Sequence, residues 1–207
     1  MISHLYTVMH QPFDYQYLNG LLKDYRYPRN KIGKMLKSGD LIALKSGLYI
    51  LSEQYQKPLS LETAANLLYG PSYVSLEYAL AYYGLIPEIA YQVTSVTNAR
   101  KKVYYTAVGT FTYHQLKQEY YSLGYRVQKT DTSAYLIASP EKALCDKLYL
   151  TKPQANAAAL EVFLSENLRL DTSALHSLDA KLISALARVA KHVNLNQLKK
   201  MVTKDGL

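Results

Sequence analysis

Four basic side chains and one amide lie in the short segment that runs from Pro28 to Ser38. They are Arg29, Asn30, Lys31, Lys34 and Lys37. Lysine and arginine neutralise phosphates, and asparagine can pair with the edge of an adenine in the major groove of DNA. No acidic residue interrupts this segment. These residue types indicate contacts to DNA, provided that one element brings the side chains to a common face.

An α-helix is the element that the segment predicts. Ile32, Met35 and Leu36 have the i, i+3, i+4 spacing of an apolar helical stripe. Pro28 is tolerated in a first helical turn, and Gly39 stands where glycine often ends a helix. We therefore expect a helix with its apolar stripe against a core.

The charged side chains then occupy the other faces of this helix. With about 100° between successive residues, Asn30, Lys34 and Lys37 lie nearly opposite the apolar stripe. Lys31 and Ser38 lie to one side of that face. Arg29 lies near the edge of the core. A helix with this face can enter a major groove, although an ordinary solvated surface is the usual interpretation of a single charged face. The DNA-contacting candidates here are Arg29, Asn30, Lys31, Lys34, Lys37 and Ser38.

A β-hairpin is predicted directly after the helix. Its strands are Leu41–Leu44 and Leu48–Leu51, and the connection Lys45-Ser46-Gly47 has hairpin length and contains a glycine. Lys45 is expected at the tip of this ribbon, as a further DNA contact.

Two earlier helices complete a known DNA-binding arrangement. Their apolar stripes are Ile2, Leu5, Tyr6 and Met9 for the first helix, and Leu18, Leu21, Leu22 and Tyr25 for the second. Asp14 is the expected N-cap of the second helix. The order helix, helix, basic helix, ribbon is that of a winged helix-turn-helix. We assign this unit to residues 1–57.

The distribution of charge agrees with a polyanionic partner. The chain has a formal net charge of +8. Residues 1–57 hold eight Lys/Arg and four Asp/Glu (+4), residues 58–180 hold ten and eleven (−1), and residues 181–207 hold six and one (+5). Both ends are basic and the middle is neutral, which suits two contact surfaces on a polyanion.

Residues 58–207, after a linker-like stretch at Glu53–Pro58, are predicted to form a larger mixed α/β domain with a helical C-terminus. The whole chain is thus expected to have an α+β fold. Helix caps are predicted at Ser60, Ser75 and Ser139, and a helix end at Gly84. The expected strands are Tyr91–Thr97, Val103–Val108, Thr110–His114, Tyr125–Gln128 and Ala134–Ala138. Later helices are expected at Ser139–Leu150, Ala155–Asn167, Asp179–Val193 and Gln197–Val202.

The last part of the chain offers a second basic stripe. Lys181, Arg188 and His192 recur at intervals of seven and four residues on a predicted helix. They could contact the DNA backbone beside the winged helix, or an acidic surface of a partner protein. The alternative, which the sequence supports as well as these two contacts together, is that the stripe is simply a solvated surface.

Tyrosine is abundant, with 21 residues in 207. The pairs Tyr82-Tyr83, Tyr104-Tyr105 and Tyr120-Tyr121 suggest base stacking, since aromatic side chains among basic ones bind single strands. Because these pairs lie in the neutral middle segment, the sequence favours tyrosines at core edges instead.

Several classes of function find no support in the residues. The lone Cys145 excludes an internal disulfide and a multi-cysteine zinc site, and its apolar neighbours predict a buried thiol. No phosphate loop, metal-binding pair or nucleophile arrangement was found, so neither enzyme activity nor a cofactor or metal is expected. A signal peptide and a long apolar span are also missing, which leads us to expect a cytoplasmic protein without a membrane partner.

Two further segments carry a family resemblance. GPSYVSLEYALAYYGLIPE, from Gly70 to Glu88, and IASPEKALCDKLYL, from Ile137 to Leu150, resemble signatures of the AbiEi family, antitoxins of bacterial type IV abortive-infection toxin–antitoxin systems. GDLIALKSGLYIL is similar to the wing of that family. The charged members of the two segments, Glu77, Glu141, Lys142 and Asp146, are expected to be solvated or salt-bridged rather than in contact with a toxin.

The resemblance implies two activities. The winged helix would repress the chain's own operon by binding inverted repeats of double-stranded DNA in its promoter. The C-terminal domain would counter a co-encoded nucleotidyltransferase-type toxin, directly or functionally. The alternative function is a stand-alone winged-helix transcriptional regulator whose second domain senses a ligand or mediates oligomerisation.

Overall fold

The computed structural model of the chain describes residues 11–52, 59–131 and 133–204. It shows a mixed α+β fold with a three-stranded and a six-stranded sheet. The helix predicted around Ile2–Met9 and the linker Glu53–Pro58 lie outside the described residues.

The strands are β1 (Phe13–Asp14), β2 (Leu41–Lys45), β3 (Leu48–Leu51), β4 (Ser72–Val74), β5 (Val93–Thr97), β6 (Lys102–Thr106), β7 (Gly109–Gln115), β8 (Tyr125–Lys129) and β9 (Ala134–Ala138). The α-helices are α1 (Tyr15–Leu21), α2 (Pro28–Ser38), α3 (Leu61–Leu68), α4 (Leu76–Tyr82), α5 (Gln118–Tyr121), α6 (Pro140–Leu150), α7 (Ala157–Val162), α8 (Ala180–Ala190) and α9 (Val193–Lys204). A π-helical turn, Phe163–Asn167, follows α7, and a 3₁₀ helix, Thr172–Ser177, precedes α8.

Local capping chemistry fixes both described helices of the N-terminal part. The Asp14 carboxylate accepts a hydrogen bond from the backbone N–H of Tyr17 at 2.7 Å, which makes Asp14 the N-cap of α1 as predicted. Pro28 begins α2, and Gly39 ends it with a φ of +79°, a value that glycine adopts without strain. The predicted bounds of α2 are therefore confirmed.

The helices α1 and α2 pack against one face of the small sheet, whose order is β1-β3-β2. Leu36 departs from the predicted stripe, since it is 38 % exposed. The shared core consists of Phe13, Leu18, Leu22, Ile32, Met35, Leu41 and Leu51.

The other face of the β2–β3 hairpin packs against the larger part of the chain. Along β3, Tyr49 and Leu51 belong to the core with α1 and α2, whereas Leu48 and Ile50 alternate with them and join the core of the larger part of the chain. Leu44 joins the same larger core. The hairpin is thus covered on both faces, and residues 11–52 do not bury all their apolar surface among themselves.

The larger sheet has the order β6-β7-β5-β4-β9-β8. Its neighbouring strands are antiparallel, except that β4 pairs with β9 and β5 with β7 in parallel. Thr94 accepts a hydrogen bond from an N–H of α4, and Tyr113 donates one to a carbonyl of α3. Thr94 is paired with Thr112 of β7, so their side chains lie on the same face of the sheet. Tyr113 follows Thr112 and points to the other face. The helices α4 and α3 therefore cover opposite faces of the sheet.

The two C-terminal helices are present as predicted, but their bounds differ from the predicted ones. Asp179 accepts hydrogen bonds from two N–H groups in the first turn of α8 and so caps this helix. Lys191, with a φ of +50°, ends it. The helix predicted from Asp179 to Val193 is therefore confirmed apart from its last three residues, and α9 starts at Val193, four residues before the predicted Gln197. Within the described ranges, no helix combines the length and apolarity needed to cross a membrane.

Candidate nucleic-acid interface

The outer face of α2 presents the side chains that the helical spacing predicted there. Asn30, Lys34 and Lys37 are exposed, while Ile32 and Met35 on the inner side are only 4 % and 2 % exposed. The helix has no acidic residue in its first turn and a lysine in its last. The amide of Asn30 and the ammonium groups of Lys34 and Lys37 therefore face solvent, while the opposite side of the helix packs against a core.

Two further cations of α2 contact tyrosines. The Arg29 Nε donates to the hydroxyl of Tyr15 at 3.2 Å, which ties the side chain to α1. The Lys31 Nζ lies 5.8 Å from the centroid of the Tyr25 ring, within the range of a cation–π contact. Both cations remain at the edge of the exposed face, and these contacts orient them.

Ser38 uses its hydroxyl within the protein. It donates to the Asp40 carboxylate at 2.6 Å and lies 3.2 Å from the Met35 carbonyl. A phosphate at this position would have to compete with a nearby carboxylate. Ser38 therefore differs from Lys34 and Lys37, because its hydroxyl is already engaged within the protein.

Lys45 does not stand at a free ribbon tip, and that expectation is corrected. Its ammonium donates to the carbonyl of Leu68 at 2.6 Å, at the last residue of α3, and the residue is half-buried. The carbonyls that end a helix carry partial negative charge and attract a cation. The side chain thus fastens the hairpin to the larger part of the chain instead of facing outward.

The second basic stripe is only partly formed. Lys181 and Arg188 are exposed on α8, seven residues apart as predicted. His192 lies beyond the left-handed Lys191 that ends this helix, and its ring centroid is 5.4 Å from that of Tyr149. Burial lowers the pKa of His192, so the imidazole favours its neutral form. His192 is therefore not part of the stripe.

The two segments that carry the family resemblance meet in a buried polar cluster. The Lys142 Nζ lies 2.9 Å from Oδ1 of Asp146, and both side chains are fully buried. Asp146 Oδ2 accepts from the hydroxyls of Ser75 at 2.7 Å and Tyr73 at 3.1 Å, and Lys142 donates to the carbonyl of Tyr120 at 2.8 Å. Burial raises the pKa of Asp146 and lowers that of Lys142, whereas their pairing and hydrogen bonds favour the charged forms.

This cluster corrects one expected cap, and the other charged side chains of the two segments also have partners within the protein. Ser75 precedes α4 but gives its hydroxyl to Asp146 instead of capping the helix. Glu77 of α4 forms an ion pair with Lys147 of α6. Glu141 accepts from the hydroxyl of Ser139 at 2.7 Å and from the N–H of Asp179 at 3.1 Å. The charged residues of the two segments therefore hold helices together.

A cleft of about 750 Å³ opens beside α4, α6 and β7. Glu77 and Lys147 line it from the two helices, His114 lines it from β7, and the segment 86–92 forms another wall. Desolvation is the largest cause of the lowered pKa of His114. The negative charge of Glu77 raises this pKa, and the positive charges of Lys147 and Lys101 lower it. The sequence reasoning missed this cleft. Its walls come from segments far apart in the chain, and no spacing pattern reveals that.

The described part of the chain contains no cluster of His, Cys, Asp or Glu residues that could hold a metal ion. Cys145 is fully buried as predicted, and burial raises the pKa of its thiol. No protein-family model matches the chain, and no curated protein is significantly similar to it. The geometry of α2 and the motifs in the sequence therefore carry the functional inference.

Proposed function

We propose that this protein is a DNA-binding antitoxin that represses its own operon. Residues 11–52 are the described part of a winged helix-turn-helix in which α2 is the recognition helix and the β2–β3 hairpin is the wing. The larger remainder of the chain counters a nucleotidyltransferase-type toxin encoded beside it. The observation that carries the DNA-binding half is the exposed, acid-free outer face of α2.

The support for a recognition helix is both chemical and mechanical. Lys34 and Lys37 can each neutralise a phosphate, and Asn30 can pair with adenine in the major groove. Because Ile32 and Met35 anchor the opposite side in a core, the three outer side chains keep a fixed spacing. A pre-oriented basic helix of this kind loses little conformational entropy on binding.

The contact of Lys45 with α3 changes which DNA contacts we expect from the recognition helix and which from the wing. A phosphate contact by Lys45 would break its hydrogen bond to the Leu68 carbonyl. We therefore assign the main DNA contacts to α2, with Arg29 and Lys31 at its edge. Lys181 and Arg188 remain candidates for backbone contacts.

The antitoxin half of the proposal rests on the resemblance to the AbiEi family. The segments that carry it contain Ser75 and Asp146, whose hydrogen bond joins them inside the protein. Buried groups cannot touch a toxin. The surface that opposes the toxin is accordingly expected on exposed residues elsewhere in residues 58–207.

A stand-alone regulator is the second candidate, and the cleft beside Glu77 and Lys147 favours it. A volume of about 750 Å³ is in the range of small-molecule sites. A ligand there could change the packing of α4 on α6 and so alter DNA binding. The gene neighbourhood separates the candidates, because only the antitoxin needs an adjacent toxin gene.

Co-expression tests the antitoxin directly. The full chain is produced with the nucleotidyltransferase encoded beside it, and restored growth is expected. The variant with Lys34→Ala and Lys37→Ala should still restore growth but lose repression of a promoter reporter. Growth arrest that persists with the folded wild-type chain would overturn the antitoxin assignment and leave the regulator.

A further inference from the structure

The three most exposed large apolar side chains of the described residues lie around one cleft. Tyr91 is 94 % exposed and Ile89 78 %, and both line the cleft beside α4, α6 and β7. Tyr105 is 83 % exposed on β6 and pairs with Thr110, which lines the same cleft from β7. Single exposed apolar side chains are ordinary, whereas a group of them marks a surface for interaction.

The alternation of β6 defines this surface further. Val103 and Tyr105 share one face of the strand, and Lys102 and Tyr104 share the other. The Lys102 Nζ lies 5.7 Å from the centroid of the Tyr104 ring, in agreement with this assignment. Lys101 directly precedes the strand and continues the outer row. At about 3.3 Å per residue, the row from Lys101 to Tyr105 extends roughly 13 Å along the edge of the sheet.

The sequence favoured core positions for paired tyrosines, and the structure divides one such pair. The Tyr104 ring lies edge-on to the Tyr113 ring, with 6.0 Å between their centroids, and packs against the core. Tyr105 points outward beside the cleft. One tyrosine of the pair is therefore structural, and the other is available to a partner.

The charges left unpaired at this surface are positive. The two carboxylates that line the cleft, Glu77 and Glu88, are each held in an ion pair by a cation of the protein. Arg100 and Lys101 are exposed, and among the described residues neither side chain has an ion-pair partner. His114, which favours its neutral form, adds a group that can form hydrogen bonds.

We propose that this surface binds single-stranded nucleic acid. Tyr91 and Tyr105 stack on bases, and Lys101, with Arg100 beside it, contacts phosphates further along the bound strand, about 13 Å from Tyr105. Sheets that carry aromatic side chains next to cations bind single strands in this way, with two or three bases stacked. Lysine is depleted in protein–protein interfaces, so its place beside the tyrosines favours a nucleic acid over a protein partner. The site is separate from α2, and the proposal does not rest on duplex binding.

Fluorescence anisotropy with labelled oligo(rU) and oligo(dT) of about 12 nucleotides tests the site on the full chain. Both strands should bind. Tyr91→Ala and Tyr105→Ala should each weaken binding about five-fold or more, the loss expected for a stacked base. Lys101→Ala should lower the slope of log K against log salt by about 0.7, the value for one phosphate contact on a single strand.

Matched variants separate this site from the rest of the surface. Tyr17→Ala removes a tyrosine that is 45 % exposed on α1, and Lys129→Ala removes an exposed lysine from β8 at the other edge of the sheet. Neither should change single-strand binding. The double replacement of Lys34 and Lys37 should leave it unchanged as well, whatever its effect on duplex DNA.

Tighter binding of oligo(rU) than of oligo(dT) identifies RNA as the partner, through its 2′-hydroxyl groups, and the reverse order identifies DNA. Circular dichroism verifies that each variant is folded. The proposal is overturned if neither strand binds saturably, or if the Tyr91 and Tyr105 variants bind as the wild type does. In both cases Tyr91 and Tyr105 do not form a single-strand site.

Discussion

The ammonium of Lys142 lies 2.9 Å from the carboxylate of Asp146, one turn further along α6, and neither side chain reaches solvent. Two charges in the interior are tolerated only when their hydrogen bonds are supplied. Here Ser75 and Tyr73 supply them to Asp146 from another part of the chain. The pair therefore depends on the packing of α4 and β4 against α6.

Removing one charge of this pair should destabilise the protein strongly. Asp146→Asn leaves the Lys142 ammonium buried without a counter-charge, and we expect the free energy of unfolding to fall by about 3–5 kcal/mol. Urea denaturation measures the change. Glu88→Gln is the control, because its ion pair with Arg169 is largely exposed and should contribute no more than about 1 kcal/mol. Equal effects of the two replacements would contradict this account of the pair.

Gly124 supports the same cluster through its lack of a side chain. A Cβ at this position would lie 3.0 Å from the Cβ of Lys142, and its φ is +77°. Gly84 has a similar φ of +67° but open space around it. Either glycine changed to alanine should cost about 1–2 kcal/mol for the left-handed backbone. Gly124→Ala should cost clearly more, because Lys142 must also shift, and thermal unfolding of the two variants gives the comparison.

Elements with local chemical signals could be predicted from the sequence. Pro28 and Gly39 bound α2 as expected, and Ser139 caps α6 with its hydroxyl 3.2 Å from the N–H of Lys142. Proline, glycine and small polar caps act over a few residues, so a single segment contains the information. The exposed face of α2 followed from the same local periodicity.

Features that depend on distant partners could not be predicted. The strand β4 has three residues and is defined by its neighbours β5 and β9. Lys45 is drawn to the end of α3, 23 residues away, and the hydroxyl of Ser75 goes to a carboxylate 71 residues away. Strand pairing places Tyr105 beside Thr110 of the cleft, and the segment 86–92 reaches the same cleft directly before β5. No spacing in the sequence records such contacts.

Alongside His114, whose pKa is also lowered, His192 should make the stability of the protein depend on pH. Burial lowers its pKa below the usual value of about 6.5, so the unfolded chain binds more protons than the folded one below that pH. The free energy of unfolding should therefore fall as the pH drops through 6.5 and level off below the folded pKa. His192→Gln should flatten this decline, and His176→Gln, at an exposed position, should not. Urea titrations between pH 5 and 8 measure both; an unchanged decline in the His192 variant would refute the assignment.

A cut between residues 57 and 58, the predicted domain boundary, should expose apolar surface on both fragments. The N-terminal fragment would lose the cover of Leu48 and Ile50, and the larger fragment would lose the hairpin that packs on it. We expect the two fragments to associate when they are co-expressed and to co-elute in size-exclusion chromatography. The variant Ile50→Asp should abolish this association. Two fragments that remain separate and fully folded would instead support independent domains.

The central claim, that the outer face of α2 binds duplex DNA, is tested most directly by the salt dependence of operator binding. With promoter DNA of the chain's own operon, replacing Lys34 and Lys37 by alanine should weaken binding and lower the slope of log K against log salt by about 2, roughly 1 for each lost phosphate contact. Replacing the exposed Lys129 and Lys152 by alanine removes the same charge from the larger part of the chain and should leave the slope nearly unchanged. A slope that stays the same in the Lys34 and Lys37 variant, or falls equally in the control, would contradict the assignment of α2.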